Sequence, residues 1–465
     1  FYKNMEMKHI LLLLGTIGAN SFIQALSQNP NVIVFLADDM GYGDAGCYGG
    51  TMVPTPNIDR LANEGIRCTN AYVTAPISGP SRYGILTGAY QQRFGIQDNC
   101  DAWAKIEGDP VRIPDTQKML NETLQDAGYH TAIFGKFNLP NYPRTTFDEQ
   151  YSLMHFGGDY FPDEHGHYLG VDEVKATSSS KRYFWGPERE SDEYLTDRIG
   201  RQAVEFIQRN RNTPFFMYIG FNAPHSPMQA KKKHQKLVKH LPTEALRFYA
   251  AMLYSMDENI GRILQTLDDL ELADNTLIVF LSDNGPSYAY NVDWPNAWPR
   301  ELLGSAGKLS GYKGQMYEGG IRVPCIFRYP NLLGKGKISD QPISSLDIYP
   351  TICSVIGAPL PNKTIIDGIN LMPYLMGKDK TDLHRTLYWL NGVSGALREG
   401  KWKILVHGKN VSLFDLEIDE VEKVDLSKQY PLIVQKLFEK WNSFRNQMPV
   451  PCNQIQRKKI SMKNK

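Results

Sequence analysis

The sequence is poor in cysteine, with six in 465 residues, at positions 47, 68, 100, 325, 353 and 452. No two of them form a close pair with metal-ligand spacing, so no zinc site is signalled. Cys325 and Cys353 lie in apolar runs and read as core thiols, while Cys47, Cys68 and Cys100 are candidates for pairing in an oxidising compartment. Net charge is missing too. The 51 basic and 50 acidic side chains leave +1, which removes any global signature of a nucleic-acid or membrane-surface binder. The local basic runs Lys231–Lys233 and Arg457–Lys465 read as a solvated face and a frayed end. Long hydrophobic runs are absent as well, so no membrane span is expected. Neither an internal repeat nor a low-complexity tract is present.

The apolar run Ile10–Leu14 has another meaning. Lys8 and His9 precede it, and small or polar residues follow to Ala25-Leu26-Ser27. That is the layout of an export signal over residues 1–27, with a mature start at Gln28. No cysteine stands at the cleavage position, so no lipid anchor is expected. The chain is predicted to be exported, either to a periplasm or to the medium.

Short apolar runs alternate with longer amphipathic segments through the first three quarters of the chain. Val32–Leu36, Thr131–Phe134, Phe215–Ile219 and Leu277–Leu281 read as buried strands. Asp115 is predicted to cap a helix that carries Met119, Leu120, Leu124 and Ala127 on one face and stops at Gly128. Leu195, Ile199, Ala203, Phe206 and Ile207 form a second stripe, and Leu253, Met256, Ile260, Ile263, Leu264 and Leu267 a third. The alternation predicts an α/β domain over 28–380, a large mainly parallel sheet sandwiched by helices. A Gly/Pro-rich stretch at 357–362 loosens the pattern. Beyond about residue 380 short strands such as Leu387–Leu390 and Lys403–Val406 precede a helix near Leu432–Phe444. This predicts a small antiparallel α+β subdomain over 381–465, ending in the basic tail.

Ligands of an open parallel sheet bind beyond the carboxyl ends of its strands. Two predicted strands end in hard oxygen donors, Asp38-Asp39 after the first and Asp283-Asn284 after the last. Three carboxylates converging there repel one another unless a cation neutralises them, and an all-oxygen set selects Ca²⁺ or Mg²⁺. One pair alone reads better as a turn or a helix cap; both together at strand ends point to a metal.

Between the two pairs lies Ser78-Gly-Pro-Ser-Arg82-Tyr-Gly-Ile-Leu-Thr87-Gly88. With Asp38-Asp39-Met-Gly-Tyr-Gly-Asp44, Gly135-Lys136, Asn222-Ala-Pro-His225, Ser282-Asp-Asn-Gly285, Gly311-Tyr-Lys313 and Glu318-Gly-Gly-Ile-Arg-Val-Pro324, this resembles the formylglycine-dependent sulfatases of the alkaline phosphatase superfamily. Their arylsulfatase and N-acetylgalactosamine-6-sulfatase branch is the nearest in pattern. The resemblance runs from about residue 31 to 426. It implies an alkaline-phosphatase-like fold and oxidation of Ser78 to formylglycine, whose hydrate is a geminal diol. One hydroxyl of such a diol attacks sulfur, and collapse through the other later expels sulfate. Serine rather than cysteine at 78 implies maturation by a radical-type enzyme.

By the same resemblance Asp38, Asp39, Asp283 and Asn284 hold Ca²⁺ together with the group at Ser78. Arg82 holds the diol, Lys136 and Lys313 grip sulfate oxygens, and His225 with Lys313 protonates the leaving alkoxide. Where the family usually reads Gly-Lys-Trp-His, this chain reads Gly135-Lys136-Phe137-Asn138. The histidine of that pattern contacts the formylglycine hydroxyl and helps its deprotonation as sulfate leaves; Asn138 hydrogen-bonds but is no base, which leaves His155, His165 and His167 on the following loop as candidates for that role. The expected partner is a sulfated carbohydrate, with Trp103, Trp294 and Trp298 as candidate stacking residues. The rival readings are a phosphatase or phosphodiesterase of the same superfamily and a catalytically silent glycan-binding homologue.

Overall fold

The computed structural model describes residues 29–452 apart from 100–104, 107–108, 111–112, 140–145, 155–156, 164–165, 172–192, 289–300, 380, 382 and 384. The export signal, Cys100, His155, His165, Trp103, Trp294, Trp298 and the basic tail lie outside the described residues. No helix among those described is long and apolar enough to cross a membrane.

Eight strands make the main sheet: β1 Asn31–Ala37, β2 Ile66–Cys68, β3 His130–Lys136, β4 Glu149–Met154, β5 Phe215–Gly220, β6 Thr276–Ser282, β7 Cys325–Arg328 and β8 Lys337–Ser339. Their order across the sheet is β8-β2-β7-β6-β1-β5-β3-β4. Only β7 runs antiparallel to its neighbours. Strands β1 and β6 are apolar at every interior position because both faces of this sheet are covered. Ile33, Phe35 and Ala37 pack on one side against helices α1 (Pro56–Glu64), α4 (Leu195–Arg209) and α5 (Glu244–Asp269). Val32, Val34 and Leu36 pack on the other against α2 (Ser78–Thr87), α3 (Leu120–Asp126) and α6 (Ile348–Ile356). The stripes seen in the sequence of α4 and α5 are buried throughout.

One helix start differs from expectation. Asp115 does not cap α3, which begins at Leu120. Residues before it are held elsewhere: Gln117 Nε2 donates to the carbonyls of Thr87 and Ile365, and Gln117 Oε1 accepts from Ile365 N–H. The helix is capped instead by Glu122, whose carboxylate reaches back to Met119 N–H at 2.8 Å. The cysteines at 47, 68, 325, 353 and 452 are free thiols, with Cys325 and Cys353 in the core as expected and Cys68 opposite Cys325 in register.

The register sets the site. β1 pairs with β6 from Asn31↔Thr276 to Ala37↔Ser282, and Gly220 of β5 pairs with both Leu36 and Gly135. Four strands therefore stop along one line, and the residues after them share one edge.

The C-terminal sheet is antiparallel, in the order β9 (Thr386–Asn391), β10 (Ser394–Glu399), β11 (Trp402–His407) and β12 (Asn410–Asp415). One face buries Leu390, Leu397, Ile404, Val406 and Leu413 under Leu437, Trp441 and Phe444 of α7 (Pro431–Gln447). The other face packs Trp389, Leu405 and Phe414 on Tyr72 and Ile321 of the main domain, where Trp389 Nε1 donates to Val73 O at 2.7 Å.

Candidate active site

Ser78 is the first residue of α2 and is 1% exposed. Its place at a helix N-terminus puts the positive end of the dipole beside its hydroxyl. Ser78 Oγ donates toward Asp38 Oδ1 at 3.1 Å and Asn284 Oδ1 at 3.2 Å. It thereby joins the ends of β1 and β6. The next amide, Gly79 N–H, is taken by Asn99 Oδ1 at 3.0 Å, which anchors the helix start.

Arg82 stands one turn along α2, on the same face as Ser78. Its guanidinium is fully buried, with Nε 2.9 Å and Nη2 2.7 Å from Asp283 Oδ2, and Nη1 donates to the Lys136 carbonyl at 2.6 Å. Two glycines permit that approach. A Cβ on Gly220 would lie 2.2 Å from Lys136 O and 2.9 Å from Arg82 Nη1, and one on Gly135 would strike Gly220 O. Burial pulls the Arg82 pKa down, but Asp283, Tyr218 and Asp38 outweigh it and hold the cation.

Asp38 and Asp39 meet three cationic side chains. Lys136 Nζ lies 2.5 Å from Asp38 Oδ2, and Lys313 Nζ lies 2.8 Å from both Asp39 oxygens. Asn284 Nδ2 donates to Asp39 Oδ1 at 2.7 Å, and Asp39 N–H donates to Asp283 Oδ1 at 3.2 Å. Burial raises the pKa of Asp38, yet His225, Lys136 and Arg82 overcome it and keep the carboxyl below its ordinary range. Asp39 is likewise raised by burial and brought down further by Lys313 and His225. Lys136 is pushed down, by burial first, against the pull of Asp38; for Lys313 the carboxylates win over burial and its pKa is raised. Asp38, Asp39 and Asp283 thus face Lys136, Lys313 and Arg82 respectively, with Arg82 also 3.9 Å from Asp38.

His225 follows β5 and reaches the same point, with Nε2 3.7 Å from Asp39 Oδ2. Its Nδ1 lies 2.6 Å from Ser226 O. A carbonyl only accepts, so Nδ1 carries a hydrogen and Nε2 is the nitrogen that gains or loses a proton. Burial lowers the His225 pKa, and Lys136 and Lys313 add to that. The loop over it fixes its backbone: Tyr160 OH donates to His225 O at 2.9 Å, and Asn222 Nδ2 donates to Gly158 O at 3.1 Å.

Nine of the ten predicted residues, Asp38, Asp39, Ser78, Arg82, Lys136, His225, Asp283, Asn284 and Lys313, therefore belong to one contact network. Asn138, the tenth, is buried two residues beyond Lys136 on a left-handed backbone (φ 56°). His167, the one described candidate for a replacement base, is exposed on its loop with Nδ1 3.8 Å from Asp163. Sequence reasoning missed a supporting layer. Asp44 accepts from Gly41 N–H, Ser305 N–H and Tyr249 OH, and Tyr249 OH also reaches Asp39 O at 3.1 Å. Asp44 closes the motif that begins at Asp38, so its place in the pattern was visible although its partner on α5 was not.

The donor set fits a hard cation. Ligand atoms of Asp38, Asp39 and His225 lie within 4.8 Å of one another, and the neighbouring Asn284 and Asp283 add buried oxygens. Asp283 is turned toward Arg82, and the imidazole nitrogen is the one donor the sequence had assigned elsewhere.

Known proteins match this chain along most of its length. A family model described as Sulfatase matches residues 30–358, and one described as N-sulphoglucosamine sulphohydrolase, C-terminal, matches residues 311–447. An N-acetylgalactosamine-6-O-sulfatase of Bacteroides thetaiotaomicron is 30% identical over 89% of this chain and 92% of its own. Human steryl-sulfatase is 29% identical over 80% of this chain and 74% of its own. The crystal structure of Ps i-CgsB superposes with a TM-score of 0.76 at 31% identity, covering 91% of this chain and 94% of that one. The large sheet with its antiparallel C-terminal subdomain is the alkaline-phosphatase-like fold of these enzymes. The chain belongs to the sulfatase family and is a sulfuric ester hydrolase.

Proposed function

We propose that this enzyme removes sulfate from a sulfated carbohydrate after export, using a formylglycine hydrate made from Ser78 and a Ca²⁺ or Mg²⁺ ion. Asp38, Asp39, Asp283, Asn284 and the group at 78 would hold the ion. The carbohydrate reading is supported by relatives named for N-acetylgalactosamine-6-sulfate hydrolysis and by the Ps i-CgsB complex with k-i-k-neocarrahexaose. The observation that carries the reading is Ser78 Oγ held between Asp38 and Asn284 at the head of a helix.

A cation held there would supply Lewis acidity toward a sulfate oxygen and toward the hydroxyl at 78. A formylglycine hydrate at 78 would supply two hydroxyls on one carbon, one for attack on sulfur as the ester S–O bond breaks and one whose deprotonation would restore the aldehyde and release sulfate. The remaining work belongs to side chains already in place. Arg82, locked by Asp283 and the Lys136 carbonyl, fixes the head of α2 and keeps its charge beside position 78. Lys136 and Lys313 offer ammonium groups to the equatorial oxygens, where charge gathers as the ester oxygen departs. His225, oriented through Nδ1, presents Nε2 as the nitrogen that, once protonated, would give its proton to the leaving sugar oxygen as the bond to sulfur breaks, although burial lowers the pKa of that group.

Maturation removes two hydrogens from the Ser78 side chain, so mass spectrometry of its peptide from a host with a radical-type maturase tests the reading. An aldehyde at 78 with sulfate release supports it. An unmodified serine in enzyme that still releases sulfate would refute the proposed nucleophile.

A further inference from the structure

We propose that the C-terminal subdomain is part of the catalytic apparatus: Lys403 through Glu318, and Val421 through Ser310, position the loop 310–321 that aims Lys313. The proposal rests on the reading of Lys313 as a group that grips substrate oxygens.

The loop is held at its tip by catalytic segments. Lys313 N–H donates to Pro286 O at 2.9 Å and Gly314 N–H to Pro76 O at 2.8 Å, beside Asn284 and Ser78 respectively. Its base closes on itself through Gly319 N–H to Ser310 O at 2.7 Å. Backbone presses on backbone here: a Cβ on Gly285 would lie 1.8 Å from Gly319 O, and one on Gly320 2.0 Å from Gln315 O. A small shift of the turn at Glu318 is thus transmitted to both Lys313 and the Asp283–Asn284 turn.

That turn is held from the C-terminal sheet by a charge cluster closed to water. Glu318 and Lys403 are both 0% exposed. Lys403 Nζ, from β11, lies 2.9 Å from Glu318 Oε1 and 2.8 Å from Glu422 Oε1. Glu422 Oε2 accepts Glu318 N–H at 2.6 Å, and Tyr72 OH donates to Glu318 Oε2 at 2.6 Å. Arg398 of β10 braces Tyr72 through its hydroxyl, and Ser310 Oγ donates to Val421 O. Lys403 stands almost equidistant from the two carboxylates, and Arg322 Nη1, 3.5 Å from Glu318 Oε2, breaks the balance. Burial works to raise both, but Lys403, Arg322 and Arg398 bring Glu318 down, whereas Glu422 is left raised. Apolar packing would have attached the subdomain with less desolvation; a lysine buried at this depth fixes a direction as well as a contact.

The test is a double-mutant cycle on the full chain, with kcat/KM for 4-nitrophenyl sulfate and thermal unfolding measured on each variant. Lys403→Met is expected to lower kcat/KM at least tenfold in otherwise unchanged, folded enzyme. The same change made in Lys313→Ala enzyme is expected to cost less than twofold, because the group being aimed is already gone. A merely structural Lys403 would cost the same factor in both backgrounds, and that result overturns the proposal. So does folded Lys403→Met enzyme with activity within twofold of the starting protein. If Lys403→Met does not fold, Ser310→Ala cuts the second tie without unpairing a charge and carries the same cycle, with the same refuting outcome. A matured starting enzyme that releases no sulfate fails the sulfatase reading itself, and additive losses in active enzyme fail only this inference.

Discussion

Replacing Asp283 tests whether one carboxylate serves the fold and the chemistry together. Asp283 is unexposed and receives Arg82 Nε at 2.9 Å, Arg82 Nη2 at 2.7 Å and Asp39 N–H at 3.2 Å. Alanine would strand a buried guanidinium whose nearest remaining counter-charge is Asp38 Oδ1, 3.9 Å from Nη2. Unpairing a buried charge in this way costs about 3–5 kcal/mol. At roughly 2.1 cal/mol/K per residue, the 465-residue chain unfolds with an entropy of about 1 kcal/mol/K, so Tm should fall by about 3–5 °C. Calcium at about a hundred times its Kd should add about 2.7 kcal/mol to the intact enzyme, raising Tm by about 3 °C. Asp283→Ala should lose that calcium-dependent rise and sulfate release in step, the latter by about a hundredfold or more. Thermal unfolding with and without calcium, beside inorganic sulfate assays, reads both. Folded Asp283→Ala enzyme that keeps the calcium response or turns over within tenfold of the original would refute the metal assignment.

His225→Ala should lower kcat on a sugar sulfate by about 10²–10⁴ and much less on 4-nitrophenyl sulfate, whose phenolate leaves unprotonated; equal losses on the two would remove the proton-donor role. Asp257 caps α1 from α5, and burial, against hydrogen bonds from Ile58 and Asn57, lifts its pKa from 3.8 to about 6. Because the folded pKa is the higher one, the stabilisation, about 3 kcal/mol for roughly two units, is complete below pH 4 and disappears as pH rises through 6. Asp257→Asn should flatten that part of the stability–pH curve, and an unchanged slope would contradict it. Trp441→Ala should destabilise the C-terminal subdomain by about 3–5 kcal/mol in denaturant titration, since the ring is 1% exposed and its Nε1 donates to Trp389 O.

The sheet was legible because its strands are apolar on both faces, and β1, β3, β5 and β6 were each anticipated from continuous runs. The strands on one side of the sheet, β2, β7 and β8, are three or four residues long and leave too little periodicity to read. The antiparallel set of β9 and β11 was visible because Leu387–Leu390 and Lys403–Val406 fall in short runs after a loosened stretch. At the site, Ser78 and Arg82 could be picked out by motif, and the two strand-end pairs because they recur together beyond strands of one sheet. What no spacing reveals is the long-range pairing: Asp44 with Tyr249, Asp257 with α1, and Lys403 with Glu318 join residues 205, 200 and 85 positions apart. Lys403 was visible only as the polar start of the run Lys403–Val406, and the packing of one sheet face on the main domain is what buries it beside Glu318.

Two strand ends show how local backbone makes the cluster. Asp39 (φ 63°) and Asn138 (φ 56°) both adopt the left-handed conformation, which costs most residues about 1–2 kcal/mol and which Asp and Asn tolerate best. Successive side chains of a continuing strand would point to opposite faces. A left-handed residue breaks that alternation, so Asp38 and Asp39 bring ligand atoms within 4.8 Å of each other and of His225. At the end of β3 the same device follows Lys136, whose carbonyl holds Arg82 and whose ammonium holds Asp38. Asparagine at 138 suits that backbone while surrendering the imidazole that the family usually places there. The strand end therefore keeps its geometric task, delivering Lys136, and the one imidazole in the described contact network is His225, oriented from outside the strand by the Ser226 carbonyl.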